Sequence, residues 1–155
     1  MGMSAPTPDT TTDWREHLID DDARIGALLR ASKRIAVLGI KVEPQQPAYF
    51  VPAFAQRAGF EIIPVPVYYP EVTEILGQRV YRRIADIPGD VDIVDVFRRS
   101  HRVPDHVDDI LAKHPKAVWM QSGIWNDDAA ERLARAGIDV VQNHCLMVEL
   151  QNHGW

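Results

Sequence analysis

Cysteine is nearly missing from this chain, for Cys145 stands alone among 155 residues. No intrachain disulfide can form, which suits a reducing cytoplasm. An excess of positive charge is missing too. Seventeen Lys and Arg face twenty-two Asp and Glu, a formal net charge of −5. General affinity for nucleic acid is therefore not expected. No apolar run approaches the ~20 residues of a membrane span. The opening MGMSAPTPDTTTD lacks the basic and apolar regions of a signal peptide. A cytoplasmic protein with no membrane partner is expected.

Nucleotide fingerprints are missing as well. A dinucleotide site asks for G-x-G-x-x-G after the first strand and an acid at the end of the second. Here a lone Gly39 precedes Ile40 and Lys41, and the second strand ends in Pro64-Val65-Pro66-Val67. No G-x-x-x-x-G-K-[ST] occurs, which excludes a P-loop. The six His show no HExxH or other metal-ligand spacing. Asp92 and Asp95 are three residues apart on a strand and face opposite sides, so they make no carboxylate pair. Asp95 is expected to cap a neighbouring loop. Cys145 beside His144 reads as a small buried hydrophobe rather than a nucleophile. No catalytic group is expected, and Trp119 and Trp125 read as packing residues.

What remains is an ordinary globular composition, 46% apolar and 25% charged. A chain of this length folds as one domain, burying roughly two-thirds of its unfolded surface. Residues 1–19 are expected to be a flexible tail, 20–150 the domain and 151–155 a C-terminal tail. Asp20-Asp21-Asp22 suits a helix N-terminus, with Ile25, Leu28, Leu29 and Ser32 on its buried face. Five short apolar runs follow: Arg34–Gly39, Glu61–Val67, Val91–Val96, Ala117–Met120 and Asp139–Val141. Such runs read as strands buried on both faces. Helical patterns separate them. Phe50, Phe54 and Ala58 share one face, Val103, Val107, Ile110 and Leu111 another, and Ala129, Leu133 and Ala136 a third. Pro52 suits a first helical turn, and Gly59 and Gly137 suit helix ends. A short extended piece is expected at Gln78–Tyr81 and a helical turn at Ile84–Ile87. The fold class is α/β: a Rossmann-like three-layer fold, its mainly parallel five-stranded sheet flanked by helices on both faces.

In such a sheet, ligands bind beyond the carboxyl ends of the strands. Lys41, Arg98, Arg99 and Arg102 all fall there, in an otherwise acidic chain. Their forks and charges match phosphate, and Ile40, Pro66, Tyr68 and Phe97 supply apolar cover. The residues themselves point to a phosphorylated, partly apolar ligand. The alternative is a solvated basic surface. Ser122-Gly123 reads either as a close approach to ligand or as a plain turn before a helix capped by Asn126 or Asp127.

Taken together, IAVLGI, PAYFVPAFAQRAGFEIIPVPVYYPEVTEILGQRVY, DIVDVFRRSHRVP, AVWMQSGIWNDDAA and GIDVVQNHCLMVE resemble the small single-domain CoA-binding proteins. That family is similar to the CoA-binding domain of succinyl-CoA synthetase α-subunits. The resemblance implies coenzyme A or an acyl-CoA as ligand. It implies that Gly39, Ile40 and Lys41 line the first phosphate loop, and that Pro66 and Tyr68 sit by the adenosine. Phe97, Arg98 and Arg99 would border the cofactor, with Gln121, Ser122 and Gly123 near the pantetheine. Members commonly carry Ser or Thr where this chain has Ile40-Lys41, and often Ser where it has Ala48. The ligase domain of the synthetases has no counterpart in the sequence. The expected role is a non-catalytic protein that binds CoA or an acyl-CoA, with regulation as one use of that binding. Alternatives are an NAD(P)-dependent oxidoreductase and an interaction subunit with a vestigial site.

Overall fold

The Asp21 side chain accepts the backbone N–H of Arg24 at 3.1 Å and starts helix α1, Asp22–Arg30. It buries Ile25 and Leu29. The structure is a computed structural model describing residues 13–155. Five parallel strands form the main sheet: β1 Arg34–Leu38, β2 Glu61–Val65, β5 Ile93–Val96, β6 Ala117–Met120 and β7 Asp139–Val141. Their order is β2-β1-β5-β6-β7. The expected strands are all present, with β2 ending two residues early and β5 starting two late. Between β2 and β5 lies a two-residue ribbon, β3 Glu74–Ile75 against β4 Gln78–Arg79. It is followed by a 3₁₀ turn at Ile84–Asp86. Asp109 holds that turn by accepting the N–H groups of Ile84 and Ala85.

Strand alternation sends Ile35 and Val37 to one face of the sheet, and Ala36 and Leu38 to the other. The first face is covered by α1, by α2 (Pro47–Arg57) and by α5 (Leu146–Asn152). The second is covered by α3 (Val107–Lys113) and α4 (Asp127–Arg135). Pro64 sits within β2, where an interior strand would not tolerate it. Because β2 is at the edge, the carbonyl of Pro64 is free to accept the N–H of Tyr81 at 3.0 Å.

Several expectations need correction. Helix α2 buries Ala48, Val51, Ala53 and Ala55, while Phe50 is exposed and Phe54 half-buried. In α4 the buried set is Ala129, Ala130, Leu133 and Ala134, and Ala136 is exposed. Pro52 is inside α2 rather than in its first turn, which Pro47 occupies. The tails also end elsewhere. Residues 1–12 lie outside the described part of the chain. Asp13 and Glu16 form a capping box around a 3₁₀ turn at Trp14–His17, and the buried Ile19 donates its N–H to Val140 at 2.8 Å. The outer edge of β7 thereby gains a partner for a carbonyl that would otherwise face solvent. At the other end, α5 runs to Asn152, and the Trp155 ring packs 5.7 Å from that of Phe60.

Asp92 explains how the strands stay in register at their amino ends. Its carboxylate accepts the N–H groups of Lys33 (2.8 Å) and Arg34 (2.9 Å) and meets the Lys116 ammonium at 3.3 Å. Burial pushes this carboxyl up. The two N–H donors and the ammonium outweigh it and hold Asp92 below the usual carboxylate range.

Candidate functional site

The strand order reverses between β1 and β5, since the chain runs from β1 outward to β2 and then returns past β1 to β5 on its other side. The crevice beyond the carboxyl ends of β1 and β5 is the place such a sheet offers a ligand. Gly39 opens it. Its φ of 86° is in the left-handed region, and a Cβ there would stand 2.3 Å from the backbone oxygen of Phe97. Phe97 in turn donates its N–H to Leu38 at 2.8 Å. Only glycine lets the two strand ends come so close. Ile40 is buried and anchors the loop beneath Lys41.

Pro52 then acquires a purpose. A residue with an N–H at that position would bond the carbonyl of Ala48 in the helix ladder. Proline cannot, and the freed Ala48 carbonyl accepts the N–H of Lys41 at 3.2 Å instead. The loop after β1 is thus tied to the first turn of α2. That turn carries no acidic residue, and no side chain caps it. By contrast, α1 and α4 are capped by Asp21 and Asn126 and carry acids in their first turns. Pro47 has no N–H and Tyr49 donates to the Gln46 carbonyl at 2.8 Å, so this acid-free start offers a ligand the Ala48 N–H and a positive dipole end.

Arg98 reaches across from β5. Its Nε–H donates to His106 Nε2 at 3.1 Å, and Nη1 lies 3.5 Å from the Tyr68 hydroxyl, beyond β2. Burial and the Arg98 charge push His106 below its ordinary value. It therefore stays neutral and can accept that bond. Tyr68 is 61% exposed, so it lies open to a ligand rather than in the core. Its loop is locked from below by Arg82, which donates to the carbonyls of Tyr68, Tyr69 and Val72. The Tyr69 hydroxyl donates to Glu43 at 2.8 Å and joins this loop to the one after β1. Burial, and then that bond, raise Tyr69. Arg99 is exposed, whereas Arg102 pairs with Asp105 at 3.3 Å. Pro66 is buried just past β2.

The β6 side is arranged differently. Gln121 is buried and its Oε1 accepts the N–H of Leu146, fixing the start of α5. Ser122 and Gly123 are exposed. Gly123 donates its N–H to Asn143 Oδ1 at 2.7 Å, and Asn143 itself has a φ of 61°. Ser100 Oγ accepts the N–H of Trp125, and Asn126 Nδ2 donates to the Ser100 carbonyl. Asn126 also caps α4 by accepting from Ala129. Gly39, Lys41, Tyr68, Phe97 and Arg98 are therefore gathered around β1 and β5. Gln121, Ser122 and Gly123 stand one strand over.

Two expectations fail here. Asp95 caps nothing: it is wholly buried, and neither carboxylate oxygen has a partner. Burial raises it well above the usual carboxylate range. Trp125 is 53% exposed and does not pack, while Trp119 is buried and donates Nε1–H to the carbonyl of His144. Glu43, Arg82, His106 and Asn143 were not singled out by sequence reasoning. Only Asn143 carries a local signal, since Asn tolerates the left-handed region.

A family model described as a CoA binding domain matches residues 33–151. The chain belongs to the CoA binding domain family. Within the family's reach, the uncharacterized protein YneT of Bacillus subtilis (strain 168) is 36% identical over 126 residues, 81% of this chain and 91% of that protein. A solved structure from Thermus thermophilus, cell-free ID.343, is 37% identical with a TM-score of 0.80, covering 86% of this chain and 99% of the other. An acetyl-coenzyme A synthetase of Ca. Korarchaeum cryptofilum shares the fold. It is 22% identical with a TM-score of 0.62, over 73% of this chain and 27% of that one. The Rossmann-like α/β fold expected from sequence is shared with these structures. Among the described residues, no helix is long and apolar enough to cross a membrane.

Proposed function

We propose that this CoA-binding-domain protein binds coenzyme A or an acyl-CoA in the crevice beyond β1 and β5 and performs no chemistry on it. The observation that carries the reading is the uncapped, acid-free start of α2 beside Lys41, with Arg98 poised opposite, in a chain of net charge −5. Gly39, Ile40, Lys41 and the first turn of α2 would hold the pyrophosphate. Arg98 and Arg99 would take the ribose phosphate, with Phe97 at the border of the cofactor. Tyr68 and Pro66 would cover the adenosine, and Gln121, Ser122 and Gly123 would approach the pantetheine. The non-catalytic part is supported by how the polar groups nearby are used. Glu43 holds Tyr69, His106 holds Arg98, Gln121 holds Leu146 and Asn143 holds Gly123. Each maintains a loop.

The test is thermal unfolding with CoA, NAD and ATP in parallel. Saturation at 100 times Kd stabilises by about 2.7 kcal/mol. No response to millimolar CoA removes the proposal. A response to NAD alone installs an oxidoreductase in its place. Changing Arg98 and Arg99 together to Ala is expected to weaken CoA by roughly one to two orders of magnitude, as loss of charge-assisted hydrogen bonds would. Dephospho-CoA, titrated alongside by calorimetry, should be nearly unaffected. Equal losses for both would move these arginines to the pyrophosphate.

A further inference from the structure

Outside the crevice, the C-terminal helix carries a second group of polar side chains. Glu149 on α5 and His153, the residue capping its C-terminal end, are four residues apart and come together on one side. Asp22, the first residue of α1, meets them there. His153 Nε2 lies 3.1 Å from Asp22 Oδ1 and 3.9 Å from Glu149 Oε1. The donor atoms of all three fall within 4.8 Å of one another. Tetrahedral zinc with bonds of about 2.0–2.1 Å separates its donors by about 3.3 Å. The Asp22 pair already has that spacing, and the Glu149 pair needs only a sub-ångström closure.

The His153 side chain is nine-tenths buried, with 10% of its surface exposed, yet Nε2 has no hydrogen-bond partner. The nearby carboxylates are close but not aligned to accept. A buried nitrogen left in this state is costly and calls for a partner. Gly26 adds an independent sign that the ring's place is built. A Cβ at Gly26 would stand 2.6 Å from His153 Nδ1. Glycine inside a helix costs about 0.5–1 kcal/mol relative to alanine, and here it makes room for the imidazole. His144 completes the arrangement. Its Nδ1 lies 3.0 Å from Glu149 Oε2, and its Nε2 3.1 Å from Asp20 Oδ1. The carboxylate of Glu149 is thereby oriented with Oε1 toward His153.

We infer that Asp22, Glu149 and His153 form a binding site for one divalent transition-metal ion of the zinc class, fastening α5 to the start of α1. An imidazole with two carboxylates is a donor set such ions accept, and water would complete the coordination. The site is separate from the coenzyme crevice and does not depend on it.

The test is calorimetric titration of the full chain, stripped with chelator, using Zn²⁺, with Co²⁺ absorption as a report on coordination. One ion per chain is expected, with a higher melting temperature in its presence. Asp22→Asn alters an exposed side chain and should leave the fold intact. It and His153→Gln should each weaken Zn²⁺ by at least about tenfold, and His144→Gln by roughly tenfold through Glu149. The inference is overturned if Zn²⁺ shows no saturable binding in large excess. It is equally overturned if Asp22→Asn binds like the parent, or if Cys145→Ser abolishes binding while Asp22→Asn does not.

Discussion

Replacing Gly39 with alanine is expected to cost about 3–5 kcal/mol and to lower the melting temperature by about 10 °C, given the usual scaling for a domain of this size. Two effects add. The first is conformational: a side chain at a φ of 86° is strained wherever it occurs. The second is local, because the new Cβ would meet the Phe97 backbone oxygen at 2.3 Å and backbone cannot rotate away. Gly137 separates the two, for it has the same φ of 86° with nothing within 4 Å of a built Cβ. Gly137→Ala should cost only about 1–2 kcal/mol. Urea unfolding of both variants gives the difference, which belongs to the Phe97 contact. Equal losses would show that the crowding at the ends of β1 and β5 is absorbed without cost. Gly39→Ala should also weaken CoA, because the loop carrying Lys41 must move.

Asp95→Val is expected to stabilise the protein, by about 2–4 kcal/mol at neutral pH. Asp95 stands in β5 between Val37 of β1 and Trp119 of β6, wholly buried, with both oxygens unpartnered. A β-branched residue suits that strand position and leaves no polar atom unsatisfied. The effect should depend on pH in a definite direction. Burial raises the folded-state carboxyl well above its ordinary value of 3.8. Below that value both states are protonated and the acid costs least. As pH climbs toward the raised folded value, the unfolded chain ionises first. Stability then falls by about 1.4 kcal/mol per pH unit. Asp92 works the other way: its lowered carboxyl adds stability above its ordinary value and loses it as pH falls. Asp92 is common to both proteins, so it cancels in their difference. Denaturation of parent and Asp95→Val from pH 4 to 8 should show a gap that widens with pH. A constant gap, or a destabilised variant, would mean that Asp95 has a partner after all.

The strands were legible because a parallel strand buried on both faces is a short, near-continuous apolar run, as IAVL and AVWM are and as IVDV is but for Asp95. The faces of α2 were misread for an equally physical reason. Phe50 and Phe54 look like core anchors, yet the helix puts Ala48, Val51 and Ala55 against the sheet, and Phe50 points outward. The tails were misread because nothing local distinguishes Ile19 or Trp155 from a tail residue; their partners, Val140 and Phe60, are far along the chain.

Sequence by itself determined the α/β class, the order of strands and helices, the glycine after β1 and the basic residues at the strand ends. These are properties of periodicity and of position relative to a strand. Tertiary structure alone decided that β1 and β5 are neighbours, so that Gly39 touches Phe97. It alone gave Arg98 the neutral His106 as a support, released the Ala48 carbonyl to Lys41, left Asp95 without a partner and brought Asp22 to Glu149 and His153. The Gly39–Phe97 and Asp22–Glu149–His153 approaches join segments distant in the chain, and the others depend on how loops and layers settle around the strand ends. Local propensity carries no record of such contacts, because the strand order that makes them is set by how the layers pack.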